Sequence, residues 1–512
     1  MLSRLFLLAL ALTVKICAAP NPPQTHFRGE SVTTAKGSCG ACISALEVGK
    51  RSSWVSPNIF IRELIMACQR SGQTTPDVCE GLFKEQGPVL AEVIKHMDVT
   101  HFDGYLFCAS VLGACDYPAI RPFHLEFAKP KPANATLTRP PSGRNFTVVH
   151  LSDWHFDPEY TPGSEAACDK PLCCRSDSRS SSTADPPPTN ITRPANPWGD
   201  YACDAPLSLH ESLLSFLANN LTTLPSFAIL TGDIPPHNIW QTLPISATHR
   251  TEQIAYNLLR RYFGPPDESL LGVPLYPTIG NHEVAPANLY PPHGMENPKL
   301  PGGDASWLYN SLAKSWKPWL GGRAANQVMR NGGSYAVKVA DKLRLVSLNT
   351  NFCYVNNWWL FKDTNDTVGF TPKIPHRSCL VNYPTSITKQ DPNNILAWLI
   401  HQLQLAEDAG DRVWIIGHHP PGVPDCFHEY SARFSKIVER YAPHVIAGNF
   451  MGHTHKDEFE IFYQDGIQDA DHAISVAYIA PSVTPYRWTN PGFRYLCFQL
   501  VVWISTIVYR CR

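Results

Sequence analysis

The sequence predicts an α/β core of layered β-sheets flanked by helices over residues 146–496. A small all-α unit stapled by disulfides precedes it over residues 36–118. Three observations carry this reading. A chain of 512 residues is longer than one hydrophobic core usually serves. Six cysteines, Cys39, Cys42, Cys68, Cys79, Cys108 and Cys115, crowd into the first unit, where apolar residues recur at helical spacing. From residue 146 onward, short apolar runs that end in chemistry-bearing residues alternate with helix-like segments.

Residues 1–19, within "MLSRLFLLALALTVKICAAP", combine an early Arg4, a short apolar run and small residues at Ala18 and Ala19, the pattern of a secretory signal peptide. The run is too short to span a bilayer and Lys15 interrupts it, so no transmembrane span is expected. Fifteen of the sixteen cysteines lie beyond it, and acceptor sequons stand at Asn134, Asn145, Asn190, Asn220 and Asn365. Together they place the chain outside the cell or in a vacuolar or lysosomal lumen. The formal net charge of −1 gives no electrostatic footprint for nucleic acid.

Three bridges among the first six cysteines allow fifteen connectivities. Positions i and i+3, or i and i+7, share a helix face, so Cys39 with Cys42 and Cys108 with Cys115 form same-face pairs. If those helices run antiparallel, Cys39 meets Cys115, Cys42 meets Cys108, and Cys68 and Cys79 staple a helical hairpin. Leu90, Val93, Ile94 and Met97 supply the helical apolar stripe. The secretory context and the lack of a second close pair disfavour a zinc or redox role for C-x-x-C. Residues 119–145, dense in proline, read as an extended, semi-rigid linker.

In the core, "FTVVHLSDWH", "SFAILTGD", "VPLYPTIGNHE", "RVWIIGHH" and "HVIAGNFMGHTH" each read as a buried strand followed by a loop. Helix-like segments at 208–220, 251–263 and 394–408 fall between them. Each strand end offers metal-ligating side chains: Asp153 and His155, Asp233, Asn281, His418, and His453 and His455. Carboxylate, amide and imidazole together suit zinc, manganese or iron better than calcium or magnesium. Seven ligands are too many for one tetrahedral ion and fit two.

The order D-x-H, GD, GNHE, GHH and GHTH resembles the calcineurin-like metallophosphoesterases. That resemblance implies two metals, one held by Asp153, His155 and His455, the other by Asn281, His418 and His453, with Asp233 bridging. It implies in-line attack of a bridging hydroxide on a phosphoester. The leaving group needs a proton, for which His282 is the candidate acid, with His237, four residues beyond Asp233, beside it.

Longer stretches resemble the acid sphingomyelinase family: "CDKPLCCR", "TGDIPPHNIW", "GNHEVAPANLYPP", "IIGHHPPG", "GHTHKDEFEIFY" and "APSVTPYRWTNPGFR". The first unit resembles a saposin B-type lipid-binding domain. The resemblance implies zinc-dependent hydrolysis of sphingomyelin to ceramide and phosphocholine by a monomer working at a membrane surface. It also implies bridges Cys168–Cys173, Cys174–Cys203 and Cys353–Cys379, leaving Cys426, Cys497 and Cys511 unassigned. Tyr486 is a candidate for cation–π contact with choline or for packing. Two alternatives stand beside this reading: a related secreted phosphodiesterase for nucleotides or other soluble phosphoesters, and a catalytically impaired lipid-binding protein. The saposin-like unit discriminates against the first and the complete ligand set against the second. Residues 497–512, "CFQLVVWISTIVYRCR", depart from the family, whose members continue into a further helical region, and are expected to form an atypical, truncated tail.

Overall fold

The computed structural model describes residues 38–133, 135, 145–179, 191–362, 391–499 and 507–509. The expected signal peptide lies outside them, as do the sequons at Asn134, Asn190 and Asn365; Asn145 and Asn220 are exposed. The first unit consists of α1 (Ser38–Val55), α2 (Pro57–Ser71), α3 (Pro76–His96) and α4 (Phe102–Ser110). Pro57 and Pro76 stand at the first helical turn, where a missing N–H costs nothing, and Gly72 ends α2 in the left-handed conformation (φ 63°). Phe60, Leu64, Leu82, Phe83, Leu90, Val93 and Ile94 are fully buried between the helices. Cys39–Cys115, Cys42–Cys108 and Cys68–Cys79 close the unit.

Two mixed sheets form the core. In the first, β1 (Asn145–Leu151), β2 (Phe227–Leu230) and β3 (Leu275–Pro277) run parallel. Antiparallel β10 (Arg494–Gln499) lies on the other side of β1, followed by β11 (Ile507–Tyr509). The second sheet has the order β4 (Tyr335–Ala340), β5 (Leu343–Ser347), β6 (Arg412–Ile416), β7 (Ile446–Met451), β9 (Ala473–Ile479), β8 (Glu458–Tyr463). Its β5, β6, β7 and β9 are parallel. Aromatic residues fill the space between the sheets: Trp414 lies 5.5 Å from Phe227, 5.7 Å from Phe146 and 4.6 Å from Phe498, ring centre to ring centre. Helices α5 (Leu207–Asn220), α6 (Ile245–Tyr262), α7 (Ser306–Arg330), α8 (Ile395–Ala409) and α9 (His428–Tyr441) complete the unit. The strands bearing the predicted ligands send their carboxyl ends to one region, where ligands of open α/β sheets bind.

Two expectations are corrected. Cys353 bonds Cys426 rather than Cys379, which lies outside the described residues. Main-chain pairing brings the two together: Phe427 N–H donates to Cys353 O, and Tyr354 bridges Cys426. The expected boundary at 496/497 cuts through β10, whose pairing with β1 runs from Arg494 to Gln499. The linker, expected as an extended, semi-rigid spacer, lies against the core where it is described. There it is a strap pinned to α9 by Arg121 on Glu429 (2.8 Å) and by Arg433 over Phe123 (4.7 Å), and just before it Tyr117 stacks on His428 (3.7 Å).

The strap continues into a charged cluster. Arg440 donates to Lys129 O and to both oxygens of Glu407, which also takes hydrogen bonds from His444 and Gln404. Burial acts to raise the Glu407 carboxyl, but the Arg440, His444 and Gln404 hydrogen bonds outweigh it and hold it down at about 2. Since the ordinary glutamate value is about 4.3, ionised Glu407 contributes stability above that pH and loses it as pH falls towards 2. Thermal unfolding scans across this window are expected to show a shallower pH dependence in Glu407→Gln than in the parent chain. Identical slopes would remove Glu407 from the acid response.

The helical unit docks on the core through α3. Buried Glu85 accepts hydrogen bonds from Thr242 N, Thr242 Oγ1 and Leu243 N, Glu92 meets Lys362 at 2.8 Å, and Phe107 lies 5.0 Å from Phe361. A Cβ on Gly81 would stand 2.4 Å from Trp240 O, a backbone atom that cannot swing away. Gly81→Val gains roughly 0.4 kcal/mol of helix propensity. The overpacking costs about 1–3 kcal/mol, so the clash should win. A lowered unfolding midpoint in calorimetry is the expected result; an unchanged one would mean that the docked arrangement contributes nothing.

Candidate metal centre

Beyond β1 and β2 the chain keeps its parallel alignment. Asp153 N–H donates to Gly232 O, His155 N–H to Asp233 O and Phe156 N–H to Ile234 O. The two loops therefore present Asp153, His155 and Asp233 side by side. Asp153, His155, Asp233, His453 and His455 all adopt positive φ, between 38° and 72°, a concentration of strained backbone of the kind that gathers at functional sites. Two glycines permit the close approach: a Cβ on Gly280 would lie 2.1 Å from Asp233 Oδ1, and one on Gly452 2.0 Å from Ser152 Oγ.

The structure brings all seven predicted ligands together. Asp233 Oδ2 lies 3.4 Å from His155 Nε2 and 3.2 Å from His418 Nε2, between the two expected half-sites. His455 Nε2 is 3.5 Å from Asp153 Oδ1, and His418 Nε2 is 3.0 Å from Asn281 Oδ1. Backbone N–H groups orient the carboxylates: His453 N–H donates to Asp153, and His282 N–H to Asp233 Oδ1. Asn288 Oδ1 takes the Asn281 amide hydrogen, leaving Asn281 Oδ1 to face the cluster.

The imidazoles are set for a cation. His155 Nδ1 donates to Pro235 O at 2.8 Å and His418 Nδ1 to Thr231 O at 2.6 Å, so each turns Nε2 inward. His155 Nε2 is buried with no hydrogen-bond partner, which a metal bond would satisfy. His453 is turned the other way, donating Nε2–H to Asp425 at 2.7 Å and leaving Nδ1. Burial holds His155 and His455 well below the ordinary histidine range, in the neutral form that binds metals. Burial also pushes Asp153 up to about 6. It acts to lower His418, but the carboxylates of Asp233 and Asp153 outweigh it and raise that ring to about 10. Two buried carboxylates with this pull on a neighbouring ring call for positive charge, and the donor set fits a pair of divalent metals.

His237 and His282 stand beside this cluster. Their ring centres are 4.7 Å apart, and His237 lies 3.8 Å from His155. His282 Nδ1 donates to Pro236 O, so Nε2 is the free position. Burial lowers His282 to about 4. Tyr486 is 3% exposed, its ring centre 4.2 Å from that of His237 and its hydroxyl donating to Pro171 O; it backs His237.

Two buried carboxylates escaped the sequence reading. Asp204 accepts both the backbone N–H and Nδ1–H of His237, at 2.6 and 2.8 Å, and burial raises it to about 7. Glu283 accepts N–H from Ile234 and from Gly280, tying the second and third ligand loops together. Glu283 was legible only as the last letter of GNHE. Asp204, thirty-three residues from His237, carried no local signal. Tyr201 and Trp488, stacked 5.8 Å apart and partly exposed, were also missed.

The fold and this cluster define a metallophosphoesterase, and the profile of the calcineurin-like phosphoesterase family matches residues 146–457. The chain belongs to that family, which implies divalent metals. Among curated relatives, the sphingomyelin phosphodiesterase of Bos taurus is 40% identical over 351 residues, covering 68% of this chain and 47% of the relative. That of Homo sapiens is 40% identical over 353 residues, with coverage of 68% and 47%. Sphingomyelin phosphodiesterase B of Dictyostelium discoideum is 33% identical over 424 residues, covering 82% of this chain and 58% of the relative. The chain thus spans about half the length of the curated relatives it matches.

Proposed function

We propose that this chain is a zinc-dependent phosphodiesterase that hydrolyses sphingomyelin to ceramide and phosphocholine outside the cell or in a vacuolar or lysosomal lumen. The observation that carries the hydrolase reading is Asp233 Oδ2 set between His155 Nε2 and His418 Nε2, with further ligands on both sides. A pair of divalent metals, when bound, supplies a nucleophile at modest pH and offsets phosphoryl charge. The chain's own part is to hold that pair, to exclude bulk water and to place a proton donor. In the hydrolysis, water adds to phosphorus, the bond from phosphorus to the ceramide oxygen breaks, and that oxygen takes a proton. His282 Nε2 is the assigned donor, and His237, held through its backbone and ring by Asp204, packs beside it. An approaching anionic phosphodiester raises the His282 pKa and so charges the acid when substrate is present.

The names of the relatives support the lipid, and the helical unit supports a membrane surface. It is stapled by three disulfides as a saposin B-type domain would be, and Trp54, Val55, Ile59 and Met66 are exposed on it. Among the described residues no helix is long and apolar enough to cross a membrane. The test is hydrolysis of sphingomyelin in mixed liposomes by the purified chain, beside bis-p-nitrophenyl phosphate, with and without a chelator. Chelator-sensitive phosphocholine release is expected. Turnover of the soluble diester alone would move the substrate to a soluble phosphoester, and turnover indifferent to chelation would remove the metal.

A further inference from the structure

We infer that His419 is an additional ligand of the metal assigned to Asn281, His418 and His453, giving that metal a third imidazole outside the seven-residue set; this rests on the two-metal reading above. β6 ends at Ile416 and delivers His418 and His419 in succession. Thr350 Oγ1 accepts both of their backbone N–H groups, at 3.0 and 2.8 Å, which fixes the turn that carries the two rings.

The His419 ring is fully buried, yet neither Nδ1 nor Nε2 has a hydrogen-bond partner. Leaving such a group unsatisfied carries an uncompensated desolvation cost, and a buried imidazole without a role is more simply a phenylalanine or leucine. Its surroundings are the metal ligands themselves. Ligand atoms of His418, His419 and His453 lie within 4.8 Å of one another. Ring centres are 4.9 Å apart for His418 and His419, 4.0 Å for His419 and His453, and 5.1 Å for His418 and His453. Imidazoles sharing one ion at about 2.0–2.1 Å have ring centres roughly 5 Å apart, so the three rings stand at separations compatible with one shared ion. Two neighbours aim them. Asp425 takes His453 Nε2–H and leaves Nδ1 for the cluster, while Tyr354 stacks 4.2 Å from His419. A nitrogen-rich site of this kind selects zinc over hard cations such as magnesium and resists chelation better than its partner half-site.

The test is zinc affinity of the full-length chain by chelator competition, with stoichiometry by mass spectrometry, in the parent, His419→Phe and His419→Gln. Phenylalanine keeps the stack on Tyr354 and removes both ring nitrogens. The parent is expected to hold two zinc ions, and both variants to hold one unchanged and the other at least about tenfold more weakly. Two ions held equally well in all three proteins would overturn the role of His419 and leave the two-metal reading standing. A parent chain that binds no zinc would remove both. Should the variants misfold, anomalous density in zinc-loaded crystals of the parent decides: zinc within about 2.0–2.1 Å of a His419 ring nitrogen supports the inference, and zinc bound away from that ring overturns it.

Discussion

Asp233→Ala is expected to abolish turnover of every substrate and to weaken both metals together. Asp233 is 2% exposed, and its Oδ2 lies within 3.4 Å of His155 Nε2 and 3.2 Å of His418 Nε2. Removing it deletes a ligand from each half-site at once and frees the His282 backbone N–H that Oδ1 orients. Groups that merely support a metal ligand command about 10–100-fold in affinity or activity, so loss of the bridge itself should exceed that range. Zinc stoichiometry after dialysis is the decisive readout. A variant that retains two tightly held ions would place the bridge elsewhere.

His282→Ala should separate metal binding from proton donation. His282 touches the cluster through its backbone N–H on Asp233, which alanine keeps, so both metals should remain. Its ring nitrogen is the assigned acid, and loss of a general acid costs about 10²–10⁴-fold in kcat. The alkoxide of ceramide is a poor leaving group that needs this proton, whereas p-nitrophenolate needs little help. The deficit should therefore be large for sphingomyelin and small for bis-p-nitrophenyl phosphate. Equal deficits on both substrates, or zinc loss matching that of Asp233→Ala, would refute the division of roles.

Much of the site was legible because its chemistry is local in sequence. Each ligand follows an apolar run within a few residues, so strand and loop could be read together, and the parallel strands then place all the loops at one end. The helical unit was legible for a similar reason: cysteine spacing and helical periodicity constrain each other. Less was visible where the pattern is mixed. Helix α7, Ser306–Arg330, contains Pro318 and a break at Gly321 (φ 73°), which hides its period. The β4 and β5 hairpin follows at once, and β4 is mostly half-buried without a clean alternation.

The sequence by itself determined the candidate ligand set, the α/β class and the stapled helical unit, because these depend on residue type and short-range spacing. Only the tertiary structure decided which groups meet across long separations. It paired Cys353 with Cys426, set Asp204 under His237, turned the linker into a strap on α9 and left His419 buried among the metal ligands. Such contacts arise when buried backbone and polar groups must all find partners in one packed interior. No local pattern encodes that requirement.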